Sequence, residues 1–550
     1  MKKALALILV LILVLCTSPA FAKKSAYVEK DYSQLPKYHY LWTQYFVTPT
    51  AEDAYTIKLI EDTFNVDIEV PNIEDGNFLE VLNTYIIADN TPDVIRLKDP
   101  SKFNTYVEQE AIGSFDMELV KEYFPIYYNG MMNYENGLFL TYGSVDGVQY
   151  GLPTISTGNL FHLPVVYNET WMKAVGVEKT PETLDELHDL LYKFTYEDPD
   201  GDGVQNTYGI SSDGMRNVFG AFGVNPGAAD GRTDHSAFQY LDDDHDGTNE
   251  FVYAATSLRY KEALKVLRAW YDEGIIDPEF ITGENSGGYW AISHSFVNHR
   301  IGSTVRANYY HWVSKGDYQY IGEDGEMKDV DSGAVATEFY NANPDERIVF
   351  GDPVVGPYGD RGVKSWNLLA QIYCFSPELT ADTDRFIRCL EIMNFCARNS
   401  TGDPEIVQQY CEDFYGEEGG WWYWKNKERA SWTTTQAYSD EFPDFEAINR
   451  YGRTEYGPSA PREGTDEGSV FATGLGYKEY GIKTLLQFSL PLMAEYQTNL
   501  TNLKDNWMVQ FITGKKDIDA DWDAYLAEMD ASGLGLMFNE AKEYFESTQK

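Results

Sequence analysis

An acidic loop carries the residues of this chain that are best suited to chemistry. Asp198, Asp200 and Asp202 stand at every second position of the run DPDGDGVQNT, and Gly203 stands sixth. Alternate carboxylates can surround one hard cation while the glycine permits the sharp turn, as in the first half of an EF-hand. Position twelve is Gly209 rather than a bidentate Glu, so the likeness stops there. The spacing predicts a structural calcium ion; the alternative is an acidic turn that lies in water.

A second acidic run, residues 242–250, repeats this spacing. Carboxylates stand at Asp242, Asp244, Asp246 and Glu250. The Asp-Gly pair inside the run equally suits a plain hairpin turn before a strand. The sequence therefore leaves open whether this run binds a second calcium ion.

Catalytic patterns are missing from the sequence. It contains no GxSxG, HExxH or GxxxxGK[ST] motif and no dinucleotide-binding fingerprint. A pair of carboxylates of the glycosidase type is not excluded among 87 acidic residues, but nothing singles one out. We therefore predict no turnover; the alternative is a secreted carbohydrate-active hydrolase that holds structural calcium.

The charge balance excludes one class of partner and favours another. The chain has 550 residues, of which 43 are basic and 87 acidic, and a net charge of −44, which repels nucleic acids and anionic membrane surfaces. Aromatic residues make up 15% of the chain, and aromatic faces stack on the C–H surfaces of sugars. The composition suits carbohydrate binding, although many of these rings must simply fill the core.

The N-terminus predicts export. Two lysines, an apolar run over residues 4–15 and small residues up to Ala22 form a signal peptide over residues 1–22. The mature protein is then expected in the periplasm or at the cell surface; a lipid anchor through Cys16 is possible but is not favoured, because Leu15 precedes it. The other cysteines can form disulfides after export or remain buried thiols: Cys374, Cys389, Cys396 and Cys411.

The elements that must position these residues alternate between strands and helices. Apolar alternation predicts strands at 38–42, 66–70 and 92–96, with amphipathic helices at 51–64 and 78–88 between them. This order indicates an α/β fold with parallel pairing. The pattern restarts with a strand at 165–167 and a helix after the Thr183–Glu186 capping box. Since no low-complexity linker separates the parts, a domain boundary must be a crossover of the chain.

Five motifs in this order resemble extracellular solute-binding proteins, family 1, and in particular their large calcium-containing oligosaccharide binders. The motifs are PDVI at 92–95, YGLP at 150–153, TPETLDEL at 180–187, the acidic loop with TYG at 207–209, and YDEGIIDPE at 271–279. The resemblance covers roughly residues 36–400 and is loose beyond them. It implies a two-lobed α/β fold of the periplasmic-binding-protein type II, a flytrap with crossover hinge strands.

The resemblance also implies domain limits, metal ligands and partners. Lobe 1 would contain residues 36–152 plus about 366–400, and lobe 2 residues 153–365 plus about 401–550. Calcium would be bound by Asp198, Asp200, Asp202, the carbonyl of Val204, Asn206 and Thr207. The protein would be the monomeric substrate-binding component of an ABC importer that captures an oligosaccharide between its lobes and delivers it to membrane permeases. A binder of peptides or another nutrient would share the fold.

Ligands of α/β lobes lie beyond the carboxyl ends of strands. That rule, together with aromatic platforms and polar anchors, selects a predicted ligand-binding set in both lobes. The set comprises Trp42, Tyr45 and Arg96 near the ends of the first strands, Trp290, Arg306, Tyr309 and Trp312 in an aromatic stretch of the second lobe, Trp366 after the second crossover, and Trp421 and Trp422 after a Gly-Gly pair. The alternative for each of these side chains is core packing.

Overall fold

The structure is a computed structural model and describes most of the chain. Described residues are 25, 27–46, 50–74, 77–156, 161–226, 237–281, 293–312, 319–321, 327–329, 334–365, 368–424, 429, 432–435, 438, 440, 456–459, 479–482, 485–487 and 490–548. The predicted signal peptide and Cys16 lie outside them. So do Trp290 and Trp366 of the ligand-binding set. Within the described part, no helix combines the length and the apolar character that a membrane span requires.

The chain forms two compact units. The first contains residues up to Ile155 and residues Gln371–Arg462, and the second contains Ser156–Ala370 and Glu463–Lys550. The chain therefore passes between units close to both predicted crossovers. One difference concerns residues 401–462, which we assigned to lobe 2 and which belong to the first unit. Buried Arg398 pairs with Asp413 at 2.8 Å there, and Tyr55 donates a hydrogen bond to the Asp413 carbonyl.

The first unit is built on a mixed sheet. Its strand order is Val66–Glu69, Tyr38–Phe46, Val94–Leu97, Leu369–Phe375 and Gly151–Ile155, and Asn72–Glu74 pairs with the later part of Tyr38–Phe46. The strands joined by helical crossovers are parallel, as predicted. Leu369–Phe375 runs antiparallel to Val94–Leu97, because a strand that returns after a long excursion is not bound by the crossover rule.

The helices of the first unit place apolar faces on this sheet. They are Tyr55–Phe64, Phe78–Ile87, Phe103–Glu108, Met117–Tyr123, Pro125–Asn133, Pro377–Ala381, Thr383–Cys396 and Pro404–Tyr415. A short hairpin pairs Trp422–Trp424 with Trp432–Thr434. Cys374, Cys389, Cys396 and Cys411 are buried free thiols in this unit, and burial raises the pKa of the Cys396 thiol to about 12.

The second unit has a smaller sheet, in which every pairing is antiparallel, unlike the parallel pairing that strand–helix alternation predicts. Val165–Asn168 lies between Ser303–Thr304 and Ile348–Gly351. Two hairpins join Phe238–Leu241 to Glu250–Tyr253 and Gln319–Ile321 to Met327–Asp329, and Val363–Lys364 pairs parallel with Gly481–Ile482 outside that sheet. The alternation of strands and helices along the sequence did not reveal the strand direction in this sheet, because the strands that pair with Val165–Asn168 are far from it in the sequence.

Helices form most of the second unit. They are Glu169–Ala174, Leu184–Tyr196, Met215–Ala221, Leu258–Asp272, His294–Val297, Ala334–Ala342, Pro491–Ile512, Trp522–Ala531 and Leu534–Thr548. The C-terminal helices share one apolar core with Leu258–Asp272. Thr183 caps Leu184–Tyr196 as predicted, since the Glu186 N–H donates to its hydroxyl at 3.2 Å. The Glu186 carboxylate reaches one residue further back than predicted and accepts from the Glu182 N–H at 2.8 Å.

Candidate calcium loop and ligand-binding residues

The first acidic loop brings its three aspartates together. Oxygen atoms of Asp198, Asp200 and Asp202 lie within 4.8 Å of one another. The turn depends on Gly203, whose φ of 76° is a left-handed conformation that favours glycine. The Gly203 N–H donates to Asp198 at 3.2 Å, and the Val204 N–H donates to Asp202 at 2.7 Å. Burial raises the pKa of Asp200. This oxygen-only donor set fits a hard cation such as calcium.

The remaining residues of the predicted ligand set differ from one another. The Asn206 amide donates to Asp202 at 3.1 Å, so its side chain lies beside the three carboxylates. The Val204 side chain has no atom that can bind a metal and is exposed, so its backbone carbonyl is the only ligand that this residue could offer. Thr207 is buried and its hydroxyl donates to the Phe194 carbonyl at 2.8 Å, so it anchors the loop to the preceding helix. Which of these residues bind a metal stays a prediction.

Backbone hydrogen bonds on both sides anchor the end of this loop. The Tyr208 N–H donates to the Arg300 carbonyl at 2.9 Å, and the Gly209 N–H donates to the Ile275 carbonyl at 2.9 Å. Arg300 forms a bidentate ion pair with fully buried Asp277, at 2.5 and 2.7 Å. The end of the acidic loop is thus attached to an ion-paired, partly buried region of the second unit.

The second acidic run is a hairpin turn that also gathers carboxylates. It connects the paired strands Phe238–Leu241 and Glu250–Tyr253. Oxygen atoms of Asp242, Asp244 and Asp246 lie within 4.8 Å of one another. The loop is thus a hairpin turn that also gathers three carboxylates able to bind a metal ion, so the geometry is compatible with both a plain turn and a second calcium site.

In the first unit, the predicted ligand-binding residues fall into buried and accessible positions. Trp42 has no exposed surface and packs edge-to-face on Tyr456, with ring centroids 5.6 Å apart. Trp422 is equally buried, and its indole donates to the Gly416 carbonyl at 2.7 Å. Packing of this kind favours the core alternative for both indoles.

Arg96 and Trp421 are only partly buried. The Arg96 Nε donates to the Gln371 side chain at 2.6 Å, which joins two neighbouring strands of the sheet. Trp421 lies at the start of the Trp422–Trp424 hairpin, and its ring lies 6.1 Å from that of Tyr438. The backbone of Tyr45 pairs with Ile73, and its side chain lies outside the described residues. Arg96 and Trp421 are the accessible candidates of this unit.

In the second unit, the structure brings Arg306, Tyr309 and Trp312 together through buried contacts. Trp312 has no exposed surface, and its indole donates to the Arg306 carbonyl at 2.7 Å. The Tyr309 ring packs edge-to-face on Phe161 at 4.9 Å. The Arg306 guanidinium donates to the Asp213 carboxylate at 2.8 Å.

Sequence reasoning missed the partners of Arg306. Buried Asp213 also receives an ion pair from buried Arg216, which in turn donates to the Val305 carbonyl at 2.9 Å. A signal was present in the sequence, because Asp213 and Arg216 are the only charged residues between 203 and 229 and have i, i+3 spacing. Two opposite charges isolated in an otherwise uncharged run indicate a buried ion pair, but not which distant residue joins it.

Comparisons with known proteins place this geometry in context. No protein-family model matches the chain. It is 25% identical over 245 residues to lipoprotein LipO of Bacillus subtilis (strain 168), and 26% identical over 226 residues to the polygalacturonan/rhamnogalacturonan-binding protein YtcQ of the same organism. These matches cover 42% and 41% of this chain and 43% and 41% of the relatives. The chain thus spans less than half the length of the curated relatives it matches.

Solved structures match over nearly the whole chain. The substrate-binding protein FusA of the Streptococcus pneumoniae ABC transporter, in complex with kestose, superposes with a TM-score of 0.59 at 16% identity and covers 94% of this chain and 99% of its own. A solute-binding protein of Bifidobacterium longum infantis, described as HMO-binding and ABC-transporter-associated, gives 0.62 at 14% identity, with 93% and 99% covered. The chain has the solute-binding protein fold. The resemblance inferred from the five motifs is confirmed, as is the α/β periplasmic-binding-protein class of the fold.

Proposed function

We propose that this protein is the extracytoplasmic substrate-binding component of an ABC importer, which captures an oligosaccharide and delivers it to permease subunits. The observation that carries the proposal is the solute-binding fold over nearly the full length of the chain, shared with a protein solved in complex with kestose. Two curated relatives support the ligand class. The name of YtcQ specifies polygalacturonan/rhamnogalacturonan, and that of a third curated relative, the substrate-binding protein FusA of Streptococcus pneumoniae, which is 24% identical to this chain over 245 residues, specifies fructooligosaccharide.

Calorimetric titration of the full-length protein tests this proposal. The probes are kestose, a neutral human-milk tetrasaccharide, a galacturonic acid trimer and, for the alternative ligand class, a pentapeptide. We expect saturable binding of one oligosaccharide. Binding of the peptide alone would contradict the ligand class, and binding of no probe in the panel would count against the proposal.

Turnover is tested in the same samples. The three relatives carry names of binding proteins or of a lipoprotein rather than of enzymes. We expect mass spectrometry to find the bound oligosaccharide intact after prolonged incubation. Reproducible cleavage that disappears when a carboxylate is mutated would favour the hydrolase alternative.

Trp421 is the ligand-binding candidate that gives the clearest variant. It is partly exposed at the start of a hairpin, so its replacement removes little buried surface. We expect Trp421→Ala to weaken oligosaccharide binding with little change in stability. Trp422→Ala is the matched control, because that indole has no exposed surface and its loss should destabilise the fold by about 3–5 kcal/mol. Unchanged binding by a stable Trp421→Ala protein would remove this residue from the site.

We also propose that the first acidic loop binds a structural calcium ion, with Asp198, Asp200 and Asp202 as the principal ligands. The gathered carboxylates support this, as does a solved FusA structure described as an EF-hand mutant, which gives a TM-score of 0.58 at 16% identity. An ion that binds only the folded state at 100 times its Kd stabilises that state by about 2.7 kcal/mol. We expect a chelator to lower the melting temperature and Asp200→Ala to abolish this response.

The second acidic loop supplies the matched control for calcium. Asp244→Ala removes one carboxylate from a cluster of the same size and spacing. If the first loop alone binds calcium, Asp244→Ala should keep the full response to the chelator. If both single variants keep part of it, both loops bind. A wild-type melting temperature that the chelator does not move would show that neither loop holds calcium under these conditions.

Export follows from the proposed role. The predicted signal peptide over residues 1–22 should be absent from the secreted protein, and N-terminal sequencing should find a mature start after Ala22. A chain that begins at a lipidated Cys16 and is retained with membranes would establish the lipid anchor instead.

A further inference from the structure

We propose that one face of the helix Leu184–Tyr196 forms a second, surface carbohydrate-binding site, which holds a neutral polysaccharide chain. This inference rests on the proposed function, because it extends the same ligand class to another surface. The site consists of His188, Tyr192 and Tyr196, together with the cleft on the adjoining face of the helix. No residue of the predicted ligand-binding set belongs to it.

The three rings form a ladder along the helix. They stand at i, i+4 and i+8, the spacing that places side chains on one helical face. The Tyr192 and Tyr196 rings lie 4.7 Å apart and are tilted by 42°, and the His188 ring lies 6.3 Å from that of Tyr192. Two tyrosines in direct succession can offer their faces to consecutive units of an extended chain, which isolated surface tyrosines cannot do.

The two tyrosine rings are exposed, and hydrogen bonds hold both ends of the ladder in place. Tyr192 is 45% exposed and Tyr196 43%. Glu273, at the end of the neighbouring helix, holds both ends of the ladder: its carboxylate contacts His188 Nε2 at 2.7 Å, and its carbonyl accepts from the Tyr196 hydroxyl. The His188 ring also packs 5.7 Å from buried Trp270. Exposed rings that are already ordered lose little conformational entropy on binding.

The adjoining face of the helix opens into a cleft of about 640 Å³. Its wall is the turn at residues 176–182, and the helix contributes Glu186, Asp189 and Lys193. Asp189 lies three positions before Tyr192, and Lys193 lies three positions before Tyr196. Residues at this spacing are neighbours on a helix surface, so the cleft adjoins the ladder. Carboxylates and an ammonium group there can hydrogen-bond sugar hydroxyls.

Charge decides which polymer fits. The cleft is lined by Glu178, Glu182, Glu186 and Asp189 against two lysines, and the chain as a whole has 87 acidic residues against 43 basic ones. Both the acidic lining of the cleft and the net negative charge of the whole chain would repel an anionic polysaccharide. Aromatic faces combined with hydrogen-bonding acceptors therefore select a neutral glycan. Such a site would keep the protein on a polymer from which the transported oligosaccharide derives.

Native affinity electrophoresis tests the site with three probes, inulin and soluble starch as neutral polymers and polygalacturonate as the anionic one. We expect wild-type protein to be retarded by at least one neutral polymer and not by polygalacturonate. The Tyr192→Ser/Tyr196→Ser variant should weaken this retardation about tenfold, since both tyrosine rings that would contact the polymer are removed. Tyr240→Ser is the matched control, because Tyr240 is a 52% exposed tyrosine of the same unit.

Two measurements keep the outcome specific. Tyr192→Ser alone serves if the double variant unfolds, since it leaves the Tyr196–Glu273 hydrogen bond intact. The double variant should bind the transported oligosaccharide with unchanged Kd in calorimetry, which separates failure of this site from failure of the proposed function. Equal mobility of wild type and double variant in both neutral gels would overturn the proposal. It would also be overturned by a wild-type dimer in size-exclusion chromatography that the double variant cannot form.

Discussion

At the scale of single residues, the second unit buries charge at the place where sequence reasoning put a ligand anchor. Arg306 and Arg216 share the carboxylate of Asp213, and all three side chains are at most 7% exposed. Breaking a buried ion pair by removing one partner is costly, because it leaves a charge without compensation. Arg306 therefore shapes the fold whether or not it also contacts a ligand.

This cluster gives a direct prediction. Asp213→Ala should lower the free energy of unfolding by about 3–5 kcal/mol, measured by urea denaturation, because two buried guanidinium groups lose their shared carboxylate. Asp213→Asn keeps a hydrogen-bond acceptor of the same shape and should lose less. A loss below about 1 kcal/mol in Asp213→Ala, the size of an exposed pair, would contradict the buried geometry.

A second prediction at this scale concerns pH. His162 is 1% exposed, and burial lowers its pKa to about 4, against the opposing effect of the hydrogen bond with the Leu163 carbonyl. The unfolded chain therefore binds this proton more readily than the folded one, and stability falls as pH drops from 6.5 to about 4. At about 1.4 kcal/mol per pKa unit, the contribution of His162 to the free energy of unfolding that is lost over this pH range is roughly 3 kcal/mol.

Chemical denaturation at pH 7, 6, 5 and 4 measures this component. His162→Leu should show a shallower loss of stability over that window than wild type, whatever its stability at pH 7. Parallel wild-type and His162→Leu curves would contradict the assignment.

At the scale of elements, the helix Met215–Ala221 is buried on every side. Its backbone lies directly against the segment 356–362: a Cβ at Gly220 would lie 1.7 Å from the Gly362 carbonyl, and one at Gly356 equally close to the Ala221 carbonyl. Backbones can approach this closely only where a side chain is missing. These two glycines are therefore required by packing and not by a turn.

Gly220→Ala should thus be strongly destabilising, although alanine is the better helix former. We expect a loss of about 3 kcal/mol or more, since the clash involves backbone that cannot move aside cheaply. Gly481→Ala, in the same unit, is the control: its Cβ would have Ser365 at 3.4 Å as its nearest neighbour, an ordinary contact. Thermal melts of both variants test this prediction. Equal melting temperatures for Gly220→Ala and Gly481→Ala would contradict the close approach of the Gly220 and Gly362 backbones.

At the scale of the whole molecule, charge dominates. A net charge of −44 destabilises a compact state through self-repulsion, and salt screens that repulsion over about 10 Å at 0.1 M. Salt also weakens exposed pairs such as Lys265 with Asp519, but pairs as exposed as this one contribute little to stability. The summed repulsion should outweigh them.

We therefore expect the melting temperature to rise when NaCl is increased from 10 to 150 mM. The measurement should be made in chelator-treated buffer, so that calcium bound by the acidic loops does not mask the effect. The same series at pH 4, where many carboxylates are protonated, is the control and should show a smaller rise. A melting temperature that falls with salt at neutral pH would indicate that local ion pairs decide stability.

How much could be predicted from the sequence depended on whether the signal was local. The strands around Tyr40 and Ile68, the Thr183 cap and the carboxylate spacing of Asp198 to Asp202 all follow from neighbouring residues, and the structure contains each of them. The direction of the second sheet and the assignment of residues 401–462 depend on partners hundreds of residues away, which no local pattern specifies.

The sequence by itself determined the fold class, the family resemblance and the acidic loops, because periodicity, capping and motif order are properties of short segments. Only the tertiary structure decided which aromatic and charged side chains are buried. Trp42, Trp312 and Trp422 read in the sequence like exposed platforms but lie in the core, while Tyr192 and Tyr196 read like ordinary helix residues but lie exposed. Burial is set by what packs against a residue from elsewhere in the chain, and that information exists only once the chain has folded.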